Sequence, residues 1–266
     1  MNNYVGFPGL GIELNISNIA FTIGNFNIYW YGIIIACALL IGYLMAYNSS
    51  RKSNIDPDNI TNIILICAPV SVVFARLYYV LFSLDYYTMH PEKIFAIRDG
   101  GIAIYGAVIG AVFSCFAYCK VKKLNTLKIF DICIPSVILG QAIGRWGNFF
   151  NKEAFGVETS SLLRMAIYKG GKLIEVHPTF LYESIWNFFV FFILICTNRS
   201  KKFNGQTFVT YITLYGLGRF FIEGLRTDSL FIGNLRISQI VALISFIIGV
   251  LILAAQFIRS KKTSSN

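Results

Sequence analysis

The 266-residue chain is 56% hydrophobic and only 14% charged, and its 23 Lys and Arg outnumber 13 Asp and Glu. Soluble domains carry about 25% charged residues, so this composition, with a mean hydropathy of +0.62, excludes a water-soluble globule. The net charge of +10 does not indicate nucleic acid, because the basic residues cluster in short turns beside apolar runs, where anionic headgroups meet them.

Residues 4–29 alternate apolar and polar positions, with Ile12, Leu14, Ile16, Phe21 and Ile23 in step, which predicts strand or interfacial structure in an N-terminal arm over residues 1–27. That arm contains no Lys or Arg, so it lacks a signal-peptide n-region. A membrane span needs about 20 mostly apolar residues. The chain offers stretches near 28–47, 60–82, 101–119, 129–144, 180–197, 207–222 and 237–258, and the fourth and sixth are short. The expected fold is therefore an all-α integral membrane protein of about seven transmembrane helices, forming one domain with a core over 28–258. The segment 145–177 is the longest outside the spans, and Lys169-Gly170-Gly171-Lys172 within it reads as a hairpin tip, so a small outer-face head is expected. The tail, 259–266, reads as basic and disordered. Twelve of the 23 basic residues lie near 51–52, 120–128, 199–202 and 259–262. The positive-inside rule puts those connections in the cytoplasm, hence N-terminus out and C-terminus in. Six cysteines lie in or beside apolar runs without metal-ligand spacing, and neither a metal nor a cofactor is implied.

Ionisable residues within spans cost about 2.5–3.5 kcal/mol each on insertion scales and point toward function by default. Arg76 and Asp131 are two such residues. The densest chemistry runs from Gly144 through Arg145, Trp146, Gly147, Asn148, Asn151 and Glu153 to Gly156. If helix continues past Gly144, Arg145 and Asn148 share a face, and the glycines would let a ligand or another backbone approach. An arginine beside two amides suits a phosphate headgroup, since guanidinium pairs with phosphate in a fork. It suits equally an interfacial arginine snorkelling to headgroups with Glu153 as its partner. Arg219, Glu223 and Arg226 fall on one helical stripe; an Arg219–Glu223 pair is a structural explanation, and Arg226 has no evident partner. His177, before Pro178, serves as a pH-tuned base or as a helix cap, and Glu183 inside the fifth apolar run must be paired or line a cavity. Tyr31 and Tyr105, at the mouths of spans, also fit an interfacial aromatic belt.

These segments, in this order, resemble prolipoprotein diacylglyceryl transferases. Gly144–Gly156 matches that family's G-R-x-G-N-F-x-N-x-E-x-x-G signature, and Trp30-Tyr31-Gly32, Ala75-Arg76-Leu77, Asp99-Gly100-Gly101, Phe130-Asp131, His177–Glu183 and Gly218–Asp228 agree as well. The resemblance implies transfer of the diacylglyceryl group of phosphatidylglycerol to the lipobox cysteine of a preprolipoprotein, as a monomer in the bacterial cytoplasmic membrane, with the active site facing the outer leaflet. It implies headgroup binding by Arg145 and an essential Arg226, and it puts Tyr31, Asn148, Glu153 and Gly156 in the same site. Arg76, Asp131, Asn151, Glu223 and His177 join them as expected substrate contacts. Some members carry histidine where this chain has Tyr105, a position proposed as the catalytic base. A free tyrosine has a pKa of about 10, so either the thiol proton goes elsewhere or Tyr105 positions rather than deprotonates; with Arg145 and Arg226 it makes up the expected catalytic set. A solute transporter would use the same arginines, but no repeated halves of the kind many transporters show are visible. A non-catalytic lipid binder is distinguished only by turnover, and protease motifs are absent from the sequence.

Overall fold

The computed structural model describes residues 3–97, 100–228, 231–233 and 235–264. Along the chain come β1 (Tyr4–Phe7), β2 (Ile12–Asn15), β3 (Ile19–Ile23), β4 (Phe26–Tyr29), α1 (Trp30–Lys52), α2 (Pro57–Leu81), the short α3 (Leu84–Met89), α4 (Ile104–Val121) and α5 (Thr126–Asn151). They are followed by β5 (Met165–Lys169), β6 (Lys172–Val176), α6 (Thr179–Ser200), α7 (Gln206–Leu225), β7 (Phe231–Ile232), β8 (Leu235–Arg236) and α8 (Ile237–Ser264). Six helices, α1, α2, α4, α5, α6 and α8, are long and apolar enough to cross a membrane, so the chain is a predominantly helical, multi-pass membrane protein of the all-α class. The expected sixth span, α7, is 20 residues long but carries Arg219 and Glu223, and it is not among those six.

Two expectations need correction. The fourth span is not short: α5 runs 26 residues, through Gly144 and past Arg145, because packing against α1 outweighs the weak helix propensity of glycine. The basic tail is not disordered among the described residues, since α8 continues helical to Ser264. The Asp99 part of the Asp99-Gly100-Gly101 motif lies outside the described residues.

The chain divides into two compact units: residues 1–42 with 133–266, and residues 43–132. In the first, a four-stranded antiparallel sheet of order β2-β1-β5-β6 forms the head, with β1 of the N-terminal arm pairing Val5 with Ile167. The Lys169–Lys172 turn closes the β5–β6 hairpin as expected; Gly170 and Gly171 sit at φ of 58° and 80°, the left-handed geometry of a type I′ turn. One face of this sheet is apolar. Val5, Met165, Ile167 and Val176 bury against Phe149 of α5 and Phe180 of α6, each large side chain contributing about 1.5–3 kcal/mol. The head is thereby fastened to the helix ends that carry the Gly144–Gly156 signature. Farther along the helices, Ile134 and Ile138 of α5 meet Val190 and Leu194 of α6 beside Tyr211 and Tyr215 of α7.

In the second unit α2 and α4 pack closely, because Gly106 and Gly110 leave a flat strip on α4. A methyl group at Gly110 would sit 2.8 Å from the Phe74 Cβ. Arg76, 7% exposed, folds the following loop over the end of α2: its Nε donates to Ile94 O, its Nη1 to Gly100 O and Gly101 O, and its Nη2 to Lys93 O, at 2.6–2.8 Å. Its guanidinium also lies 5.2 Å from the Tyr87 ring centre. Four of its five N–H groups are thereby committed to backbone carbonyls of that loop.

Candidate active site

Arg145 lies on the last turns of α5, where the helix continues through the signature rather than breaking at its glycines. Gly147 is the reason α1 can come so near: a methyl group there would lie 2.6 Å from the Tyr31 ring, whereas one at Gly144 would meet only the Ile35 Cδ1, at 3.4 Å. At Gly147 it is the Tyr31 side chain of α1 that makes the close approach.

The helical face anticipated for Arg145 and Asn148 is present. Arg145 Nη1 donates to Asn148 Oδ1 at 3.3 Å, Asn148 Nδ2 donates to Glu153 Oε1 at 2.8 Å, and Asn151 Nδ2 reaches the same oxygen at 3.4 Å. Glu153 is thus held by the two amides and not by Arg145, contrary to one of the two sequence readings. The salt-bridge partner of Arg145 is Glu183 of α6, whose Oε1 lies 2.5 Å from Nη2.

Glu183 is the centre of the site, and the sequence reading had left it outside the substrate-contact set. It is 2% exposed, and its Oε2 also accepts from Arg219 Nη1 at 2.9 Å and lies 4.0 Å from Arg226 Nη1. Glu223, equally buried, pairs with Arg219 Nη2 at 2.6 Å and lies 4.0 Å from Arg226 Nε. Burying charge is tolerated only where partners replace water, and three guanidiniums interleaved with two carboxylates supply the opposite charges, Arg219 Nη1 also donating a hydrogen bond to Glu183. The five side chains sum to one positive charge.

Arg226 differs from expectation in two ways. It is not on the helix: α7 ends at Leu225, and Arg226 is extended, at φ −75° and ψ 149°. Nor is it without a partner, because Asp228 takes its fork in two parallel bonds, Nε to Oδ1 at 2.9 Å and Nη2 to Oδ2 at 2.7 Å. That arginine, through hydrogen bonding and charge, holds the Asp228 carboxyl below its ordinary pKa despite partial burial. Glu153's neighbour Lys152 is displaced the other way for an ammonium, its pKa lowered by burial.

The extended backbone at Arg226 is stitched in place. Gly156 forms a bridge to Arg226, Val157 N donates to Leu225 O at 2.8 Å, and Gly156 N donates to His177 O at 2.9 Å. A methyl group on Gly156 would fall 2.7 Å from the His177 Cβ and 2.9 Å from Leu225 O, so the signature's last glycine lets three segments meet. His177 does not cap α6; its Nδ1 faces the Tyr182 hydroxyl at 3.2 Å on the first turn. Arg236, which the sequence reading passed over, donates through Nη1 to Glu223 O and Gly224 O and through Nη2 to Arg226 O, satisfying carbonyls that the end of α7 leaves open. No periodicity announces it, since it acts from the next strand.

Tyr31, Asn151 and Glu153 also border a cavity of about 750 Å3 with Asn18, Asn27 and the first turns of α1. The remaining expected residues belong to the second unit. Tyr105 sits in the first turn of α4, its ring 6.4 Å from that of Tyr78, and Asp131 is fully buried in the first part of α5.

Residues 18–255 match the family model described as prolipoprotein diacylglyceryl transferase. Among curated proteins the chain is similar to the phosphatidylglycerol--prolipoprotein diacylglyceryl transferase of Clostridioides difficile, at 46% identity over 94% of this chain and 98% of that one. The protein of the same name from Finegoldia magna is 48% identical over 89% and 94% of the two chains, and that of Clostridium novyi 44% identical over 92% and 98%.

Proposed function

The chain belongs to the prolipoprotein diacylglyceryl transferase family, and from that premise we propose that it transfers the diacylglyceryl group of phosphatidylglycerol to the lipobox cysteine of a preprolipoprotein. The products are a thioether-linked lipoprotein precursor and sn-glycerol 1-phosphate, the first step of lipoprotein maturation. The observation that carries this reading is the cluster of partly buried Arg145, Arg219 and Arg226 around the buried Glu183 and Glu223. Its net single positive charge is opposite to that of one phosphodiester. The two glutamates fix the guanidiniums in advance, so their remaining donors need no reorganisation as charge develops.

In the proposed step the cysteine sulfur, as thiolate, attacks the glycerol carbon that bears the phosphodiester oxygen. The C–S bond forms, the C–O bond breaks, and its electron pair leaves on the phosphate oxygen. Arg145 and Arg226 clamp that phosphate and stabilise the charge it gains, while Asp228, half exposed, yields the Arg226 fork to the incoming anion. Asn148 and Asn151 orient Glu153 beside the leaving glycerol. Tyr105 is assigned a positioning role. We further place the site toward the outer leaflet of the cytoplasmic membrane and take the monomer as the working form, since both substrates arrive embedded in that bilayer.

The test is the purified chain in detergent with phosphatidylglycerol and a lipobox peptide, read by peptide mass and glycerol phosphate release. A diacylglyceryl mass gain is expected, with a loss of about 10²–10³ in rate for Arg145→Ala and little rescue by Arg145→Lys, which lacks the fork. Folded protein that binds phosphatidylglycerol without any mass gain would favour a lipid-binding role instead.

A further inference from the structure

The β3–β4 hairpin stands apart from the head. It forms its own two-stranded sheet, with Phe21 opposite Ile28, Thr22 opposite Asn27, Ile23 opposite Phe26, and a two-residue turn at Gly24-Asn25. Alternation along each strand puts Phe21, Ile23, Phe26 and Ile28 on one face and Thr22 and Asn27 on the other. On the polar face Thr22 Oγ1 donates to Asn27 Oδ1 at 3.0 Å. On the apolar face Phe21, Ile23 and Phe26 are 51%, 62% and 78% exposed. A lone two-stranded hairpin is marginal in water, and three bare large hydrophobes at its tip make water a poor solvent for it.

Its root is fixed to the first residue of α1, a helix long and apolar enough to cross a membrane. Tyr29 ends β4 and Trp30 begins α1 with no residue between them, and Trp30 N donates back to Asn18 O at 3.0 Å, so both ends of the hairpin meet the first residue of a span. Trp30 in turn stacks on Phe150 of α5, with ring centres 5.1 Å apart. Strands of this length extend only about 13–17 Å, and no Asp, Glu, Lys or Arg occurs between Glu13 and Arg51. The uncharged, one-sidedly apolar hairpin therefore starts where the candidate span α1 starts.

We propose that the β3–β4 hairpin is an interfacial anchor that lies along the leaflet α1 enters, with Phe21, Ile23 and Phe26 among the acyl chains. Insertion to about 5–10 Å is the depth at which amphipathic elements settle. This goes beyond the transferase reading and does not depend on it.

Phe26→Trp and Thr22→Trp, each in the full chain in nanodiscs of phosphatidylcholine and phosphatidylglycerol, test the proposal by their emission above wild type. The Phe26→Trp increment is expected to be lost when the lipids carry brominated acyl chains and to resist aqueous iodide. The Thr22→Trp increment is expected to do the reverse. Iodide quenching of both indoles would overturn the proposal by leaving the hairpin in water. Protection of the Phe26→Trp indole from both quenchers would overturn it in favour of a protein cover, either a second copy or a bound peptide strand.

Discussion

Glu183 shows how one side chain organises the site. With Arg145, Arg219 and Arg226 converging on it at 2.5–4.0 Å, it sets the position of each guanidinium. Removing one partner of a buried ionic set costs about 3–5 kcal/mol, because the other charges are left uncompensated. Glu183→Ala is therefore expected to lower the thermal midpoint in detergent and to abolish transfer, whereas Glu183→Gln should retain part of the stability while losing activity. If both variants turned over like wild type, Glu183 would not be organising the arginines. Asp228 makes a different prediction. Its carboxyl pKa is depressed by Arg226, so the pair's stabilisation is complete above the ordinary carboxylate range and is lost as pH falls through the lowered value. Half exposed as it is, the pair contributes less than about 1 kcal/mol. Its larger effect should be on binding: Asp228→Asn is expected to lower KM for phosphatidylglycerol, since the lipid phosphate no longer competes with a carboxylate for the Arg226 fork. A raised KM with a reduced kcat would instead mean that Asp228 positions Arg226.

At the scale of elements, the close approach of α5 to α1 depends on Gly147 more than on Gly144. Gly144→Ala should raise the thermal midpoint, the helix-propensity gain being about 1 kcal/mol against an ordinary 3.4 Å contact with Ile35. Gly147→Ala should lower it, because the new methyl group must displace the Tyr31 ring from 2.6 Å. Equal effects would mean that the two helices do not meet there. The same pair shows where sequence reading stops. Apolar runs located the long helices, and the spacing of Arg145, Asn148 and Asn151 located a true helical face, because both are periodic and local. The end of α5 was misplaced, since glycine weakens a helix locally and only the fit of Tyr31 against Gly147 shows why it persists. Arg226 was read as helical for the complementary reason: its spacing from Arg219 and Glu223 is helical, but the bridge from Gly156 pulls it into extended backbone. Glu183 was legible as an anomaly, a carboxylate in an apolar run, but its three arginines come from α5, α7 and the turn after α7. Arg236 gave no signal at all.

For the whole molecule, the decisive quantity is the parity of membrane crossings. Six helices qualify by length and apolarity, and α7 fails to join them because Arg219 and Glu223 dilute its hydrophobic run. Those two side chains face each other at 2.6 Å, with Glu223 buried beside Glu183 and Arg219 partly buried, so most of their cost is met within the protein instead of by lipid. We propose that α7 then crosses the bilayer despite its composition; seven crossings would put the termini on opposite sides. The clustering of basic residues near 120–128, 199–202 and 259–262 orients the set, with the C-terminus inside. A fluorescent protein fused after Asn266 should fluoresce, and alkaline phosphatase inserted in the Gly170-Gly171 turn should be active, because that turn closes the head hairpin on the opposite side. If the C-terminal fusion were dark while the head reporter stayed active, the crossings would be even in number. In that case α7 would be a re-entrant or surface helix, and the arginine cluster would have to hold its phosphate at the edge of the bilayer instead of within it.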